Sequence, residues 1–175
     1  MLGKLAFRFL LLPSFVGQFF RLRYGWQGNP WELPVSSRPS EVWRLLCAGL
    51  RLVRSHVRRL PGTLHDIDLM RDPWFSTIPF SRIPICMDQM HFYLGYCLSQ
   101  VVSNGQWMIQ EIRGIFPVYW ADCILKSTPP QQREGGAFWC WEDSPSGSPT
   151  TRQIAQVLRP QSSKREPKLG RGPVH

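Results

Sequence analysis

Acid is missing from the first 31 residues: no Asp or Glu precedes Glu32, although Lys4, Arg8, Arg21 and Arg23 all lie in that stretch. Lysine is scarce throughout, at 4 against 17 arginines, so guanidinium groups carry almost all of the net charge of +9. Such a balance favours anionic partners, whether phospholipid surfaces, nucleic acid or acidic proteins. The planar, weakly hydrated guanidinium suits phosphate forks and aromatic stacking. Alanine (5), glutamate (6) and asparagine (2) are also few, while 8 Trp and 16 Pro are present. Exposed helical positions are usually filled by Ala, Glu and Lys, the strong helix formers. Arg, Pro, Gly and Trp have G- or C-rich codons, so a young or fortuitous reading frame without evolved biochemical function stands beside the functional readings below.

Long hydrophobic runs are absent. The longest uncharged stretch near the N-terminus, Phe9–Phe20, has twelve residues, whereas about 20 are needed to cross a bilayer. Its length and basic flank match a signal-peptide core, but Phe15-Val16-Gly17 is a poor cleavage site. An acid-free, Arg-bearing start also suits a mitochondrial presequence. Residues 1–23 therefore read as a targeting segment or an uncleaved interfacial anchor, the alternative being a buried helix broken at Pro13. Sequons are missing too, since Asn29 precedes Pro30 and Asn104 is followed by Gly105-Gln106. The five cysteines (Cys47, Cys86, Cys97, Cys123, Cys140) are odd in number and far apart. That pattern excludes a tightly stapled secreted module and fits a reducing compartment.

Chemistry-bearing motifs are equally sparse. Cys86, His91 and Cys97 have metal-ligand residue types without the paired spacing of a zinc site, and a fourth ligand would have to come from Cys123 or elsewhere. Buried thiols beside a packed histidine account for them better. His56, or His65 with Asp66, could be written as a base and its orienting acid, but no nucleophile sits in a recognisable context. Asp66, Asp68 and Asp72 do not follow an EF-hand pattern, and no Gly-rich phosphate loop or nucleophile elbow exists. The expectation is a non-enzymatic protein with no cofactor and no metal.

What is present is a cationic amphipathic stretch, SEVWRLLCAGLRLVRSHVRRL, over residues 40–60. Val42, Leu45, Leu46, Gly49, Leu50, Val53, Val57 and Leu60 recur at helical spacing and share one face. Arg44, Arg51, Arg54 and Arg58 gather on the other. Ser40 is placed to cap the start, Glu41 lies in the first turn, and Pro61-Gly62 marks the end. The apolar stripe, with Trp43, Leu46, Leu50, Val53 and Val57, could enter a membrane interface while the arginines meet lipid phosphates. The same stripe could enter a groove of a partner protein with Trp43 and Leu50 as anchors, or it could pack on the protein's own core.

The rest of the chain divides by composition. Residues 24–39, rich in Gly, Pro and Trp, read as a linker, and 40–126 as a small α-rich region. Thr63-Leu-His-Asp66 resembles a capping box. The tandem Phe75-Ser-Thr-Ile-Pro79 and Phe80-Ser-Arg-Ile-Pro84 lies in a Pro-rich connector, residues 72–84, biased towards extended geometry. Residues 85–126 are the expected core. Met87, Met90, Leu94, Cys97, Leu98 and Val101 keep helical spacing, yet Asn104-Gly105 is a hairpin signal that would set Val102 opposite Trp107 and Val101 opposite Met108. Helix–hairpin and helix–turn–helix both remain open there, and Val118–Leu125 is expected as a final strand. Residues 127–175 read as disordered, interrupted by the aromatic island 137–143 and the apolar turn 151–158.

The fold class expected is therefore mainly α, small and partly disordered, with room for one hairpin. The leading function is an interaction protein on membrane surfaces, intracellular and associated with the mitochondrion or endoplasmic reticulum. The rival is a basic protein binding nucleic acid non-specifically through the same arginines, in nucleus or cytoplasm, and a groove-bearing protein is the other partner class.

Overall fold

In the computed structural model, residues 2–87, 95–142, 144 and 146–158 are described. The fold is mainly α, with two small antiparallel strand pairs. The helix α1 (Leu2–Ala6) continues as a π-helical turn, Phe7–Leu11. Beyond Pro13 the Ser14 hydroxyl accepts the Gly17 N–H at 2.9 Å and caps α2 (Phe15–Tyr24), which turns away by 80°. Gly25, at φ 63, closes α2 in the left-handed conformation that glycine adopts without strain.

Ser40 caps α3 (Glu41–Val53) as expected, its hydroxyl accepting the Trp43 N–H at 3.2 Å. The helix does not reach residue 60. After Val53 it tightens into a 3-10 turn, Arg54–His56, and becomes a strand, β1 (Val57–Leu60). Helical periodicity through Val57 and Leu60 loses to pairing with a distant partner: β4 (Phe138–Trp141) lies antiparallel, with Val57 opposite Trp141 and Arg59 opposite Trp139. The pairing buries Trp139 and Trp141, far more apolar surface than one further helical turn could. The aromatic island expected to be disordered is thus a core strand. Likewise α7 (Thr151–Leu158) folds back so that Ile154 is buried in the same core. Residues 159–175, the remainder of the expected disordered tail, lie outside the described residues.

The first core is built on α3. Its stripe of Trp43, Leu46, Leu50 and Val53 is covered by Ala6, Phe7, Leu10 and Phe20. Small residues allow the close crossing of α1 and α3. A Cβ on Gly49 would stand 2.7 Å from Ala6 Cβ and 3.0 Å from the Leu2 carbonyl oxygen. One on Gly3 would stand 2.8 Å from Val53 Cγ1. Trp43 stacks on Tyr24 at 4.6 Å between ring centroids and on Phe20 at 5.2 Å.

The second core lies in residues 64–124. Thr63 N–H donates to Asp66 Oδ2 at 2.8 Å and opens a 3-10 turn, Leu64–Asp66. The Pro-rich repeat is no plain connector: Phe80 is buried against Phe116 at 4.6 Å, and Phe75 stacks on Phe80 at 6.1 Å. A 3-10 turn, Phe80–Arg82, leads into α4 (Pro84–Met87). The Asn104-Gly105 alternative resolves as a hairpin of β2 (Val102–Ser103) and β3 (Gln106–Trp107), with Val102 opposite Trp107. Both turn residues take positive φ, 52 and 72, as a type I′ turn requires. The single helix suggested from Met87 to Val101 is interrupted, because Cys97 bridges Asp68 and Leu98–Gln100 is a 3-10 turn. Met90 and Leu94 lie outside the described residues. After α5 (Ile109–Ile115), the expected strand at Val118–Leu125 is instead a helix, α6 (Val118–Lys126). Strand alternation would place Asp122 on the face of Ile124. The helix instead buries Ala121 and Ile124 together and leaves Asp122 in solvent.

The two cores are joined by polar contacts. Arg59 on β1 donates through one NH group to both oxygens of Asp72, at 2.9 and 3.1 Å. Asp72 Oδ2 also accepts the Asp68 N–H at 2.8 Å, and its side chain is only 3% exposed. Burial pushes the Asp72 carboxyl above its ordinary pKa, while the Arg59 charge pulls it back. Asn29 Nδ2 donates to the Arg71 carbonyl at 3.0 Å and ties the 24–39 segment into the same seam.

Two outcomes follow from these contacts. Gly49→Val should destabilise the protein by about 2 kcal/mol through overpacking, lowering Tm by roughly 4–8 °C. Ala48→Val, on the neighbouring half-buried position, should shift it far less. Equal melting of both variants would contradict the close α1–α3 crossing. Arg59→Met strands a buried carboxylate and should cost roughly 3–5 kcal/mol at neutral pH. The folded Asp72 pKa, already above its ordinary value through burial, rises further without its counter-charge. The deficit should therefore be full above that folded pKa and shrink as pH falls through it. Urea melts of the variant and wild type in neutral and acidic buffer check this, and a pH-independent deficit would count against a charged Asp72.

Candidate functional site on the outer faces of α2 and α3

The residues expected to meet a membrane or a groove are mostly inside the protein. Trp43, Leu46, Leu50, Val53 and Val57 are all buried, at 5% exposure or less. The stripe on α3 therefore faces α1 and α2, and cannot contact a lipid surface while the fold is intact. Of the arginines opposite, Arg44 pairs with Glu41 one turn away and Arg51 is exposed. Arg54 lies 4.5 Å over the Trp31 ring, and Arg58 pairs with Glu142 at 3.3 Å. Tertiary folding has divided the amphipathic stretch: its apolar side is core, and three of the four arginines opposite are engaged.

A different apolar surface takes its place. On α2 the inner positions Gly17 and Phe20 are buried, yet Phe15, Phe19 and Leu22 are 83%, 52% and 88% exposed. Their i, i+4, i+7 spacing puts them on one outward stripe. Val42 and Leu45 on α3, expected within the apolar face, lie at its flank with 57% and 55% exposure. A cleft of about 420 Å³ joins the two helices, with Phe19 and Val42 on its walls and Arg23 and Arg38 among its lining residues. At its edge the Ser40 N–H donates to Tyr24 Oη at 3.0 Å, and Tyr24 donates to Ser40 Oγ at 3.2 Å. The backbone contact first, then the hydroxyl and the nearby Arg23 charge, hold the Tyr24 pKa below its ordinary value. The surface thus presents grease flanked by guanidinium, with the ring of Tyr24 pinned beneath it.

Among the described residues, no single helix is long and apolar enough to cross a membrane. Leu2–Leu11 and Phe15–Tyr24 qualify together only by length and composition, as a pair bent at 80°, and the inner faces of both serve the first core.

The residues weighed for catalysis do not assemble into a reacting constellation. His56 stacks on Trp141 at 5.3 Å. His65 Nδ1 lies 3.1 Å from Ser99 Oγ, a pairing that separation in the chain had hidden. The Asp66 carboxylate, however, is spent on the Thr63 N–H, which lowers its pKa, rather than orienting the ring. Among the described residues, no group of three or more His, Cys, Asp or Glu is placed to hold a metal ion, and His91 lies outside them. Cys47, Cys86 and Cys140 are buried, and burial pushes each thiol up from its ordinary pKa.

The stripe of Phe15, Phe19 and Leu22 lay within the segment read as an anchor, but its direction was not legible. In α2 apolar residues surround the axis, so periodicity alone does not say which side faces inward. No family model, no curated protein and no solved structure matches this chain.

Thiol accessibility checks the burial pattern. A disulfide reagent should titrate two cysteines rapidly in the native protein, Cys97 and Cys123, and all five in denaturant. Fast reaction of Cys47 would show that the first core is open.

Proposed function

We propose that this protein is a non-enzymatic interaction protein that associates with anionic membrane surfaces through the outward stripe of α2 and the adjoining flank of α3. The observation that carries this reading is the exposure of Phe15, Phe19 and Leu22 beside Arg23 and Arg38. Three large apolar side chains on one helical stripe cost free energy in water, and each can recover about 1.5–3 kcal/mol on burial. Arginines at an anionic bilayer surface add about 1 kcal/mol each. Charge complementarity selects lipid over an uncharged groove: residues 1–31 contain four cations and no acid. The nearest acid on α3, Glu41, is already paired with Arg44. The stripe is one helix face wide, which suits shallow insertion at the headgroup boundary rather than spanning. An intracellular membrane surface, of mitochondrion or endoplasmic reticulum, fits five unpaired thiols and this cationic face.

Flotation of the full chain with phosphatidylcholine–phosphatidylserine vesicles tests the reading. Binding should persist in moderate salt, because inserted apolar groups are not screened. Phe19→Ser should weaken it about tenfold, and the combined Phe15→Ser, Phe19→Ser, Leu22→Ser chain far more, by the lost transfer free energy. Unaltered vesicle affinity of the triple variant would sink the proposal. Loss of all vesicle binding with salt, alongside retained low-salt binding to RNA, would replace it with the non-specific nucleic-acid reading.

A further inference from the structure

Another flank of α2 borders a smaller cavity, of about 200 Å³, which shares no lining residue with the α2–α3 cleft. Gln18 and Arg21 come from α2, Gln27 and Gly28 from the loop behind it, and Arg59 from β1, with Trp139 of β4 alongside. None of the residues lining it is acidic.

Both arginines are held, and both keep a buried donor unused. Arg21 reaches the Leu10 carbonyl through a terminal nitrogen at 3.4 Å and lies 6.0 Å from the Trp26 ring. Arg59 is fixed by its terminal nitrogen on Asp72 and lies 5.7 Å from the Trp139 ring. The Nε atoms of Arg21 and Arg59 are buried and make no hydrogen bond among the described residues. Gly28, at φ +87, brings the loop down onto the first of them: a Cβ there would stand 3.3 Å from Arg21 Nε.

We propose that this cavity binds a phosphate group, free or at the end of a small phosphomonoester. The terminal N–H groups of Arg21 and Arg59 that are not spent on the Leu10 carbonyl and on Asp72 match the oxygens of a tetrahedral dianion, and the amides of Gln18 and Gln27 supply neutral donors around them. The Asp72 carboxylate offsets one positive charge but is committed to Arg59 and does not line the cavity. A volume below the roughly 300–1,000 Å³ of drug-sized pockets favours a group of a few heavy atoms over a nucleotide.

The test is calorimetric titration of the full chain with inorganic phosphate and, separately, glycerol phosphate, in chloride buffer at constant ionic strength. Saturable binding of either is expected, and the pair distinguishes a free anion from an ester end-group. Arg21→Gln should weaken binding by roughly tenfold or more, the loss of a charge-assisted hydrogen bond. Arg23→Gln, on the exposed stripe, should leave it unchanged. Should Arg21→Gln fail to melt cooperatively, Gln18→Glu, which sets a like charge against the anion, carries the same expectation. Failure of wild type to bind either probe saturably, or variants at both lining positions binding as wild type does, overturns the proposal.

Discussion

The close approach of α1 to α3 decides the character of this molecule. A helix carrying Trp43, Leu46, Leu50 and Val53 must cover that stripe with something. Gly3, Ala6 and Gly49 let the N-terminal helix come near enough to do so without a gap. Once α1 occupies the stripe, α2 is drawn across its end. Phe20 and Tyr24 stack on Trp43, and the opposite side of α2 is forced outward with Phe15, Phe19 and Leu22 upon it. The exposed grease is therefore a by-product of burying other grease. A helix apolar on two sides can satisfy only one of them within a single chain.

The second organising element is ionic. Arg59 stands on a two-stranded ladder of the first core and reaches into the seam where Asp72, Asp68 and Arg71 turn. A buried ion pair of this type adds little net stability over an apolar isostere, but it penalises any arrangement that separates its partners. It registers one core against the other, and the same guanidinium borders the small basic cavity beside α2.

How much of this was legible in the residues depends on sequence separation. The Ser40 cap, the first turn of α3 and the Val102–Trp107 register are set by neighbours within a few positions, and each followed from local chemistry. The end of α3 did not, because Val57–Leu60 fits both a helical stripe and a strand, and the deciding partner is Phe138–Trp141. For the same reason a tail rich in Pro, Gly and Ser concealed a strand whose tryptophans belong to the first core. The exposed apolar stripe lies on α2, one helix before the face expected to be open: an amphipathic pattern says that a face will be covered, not by what. In α6 the error was of period, since VYWADCIL is apolar enough for a strand until Asp122 has to be placed.

Pairing across such a distance has a consequence for synthesis. Trp141 follows Val57 by 84 residues (141 − 57), so at roughly 5–20 residues per second the ribosome adds the missing strand about 4–17 seconds after its mate has emerged. During that interval the nascent chain holds an unpaired edge next to a half-finished helical layer. Until its mate arrives, that edge offers unpaired N–H and C=O groups on which another chain can form a ladder.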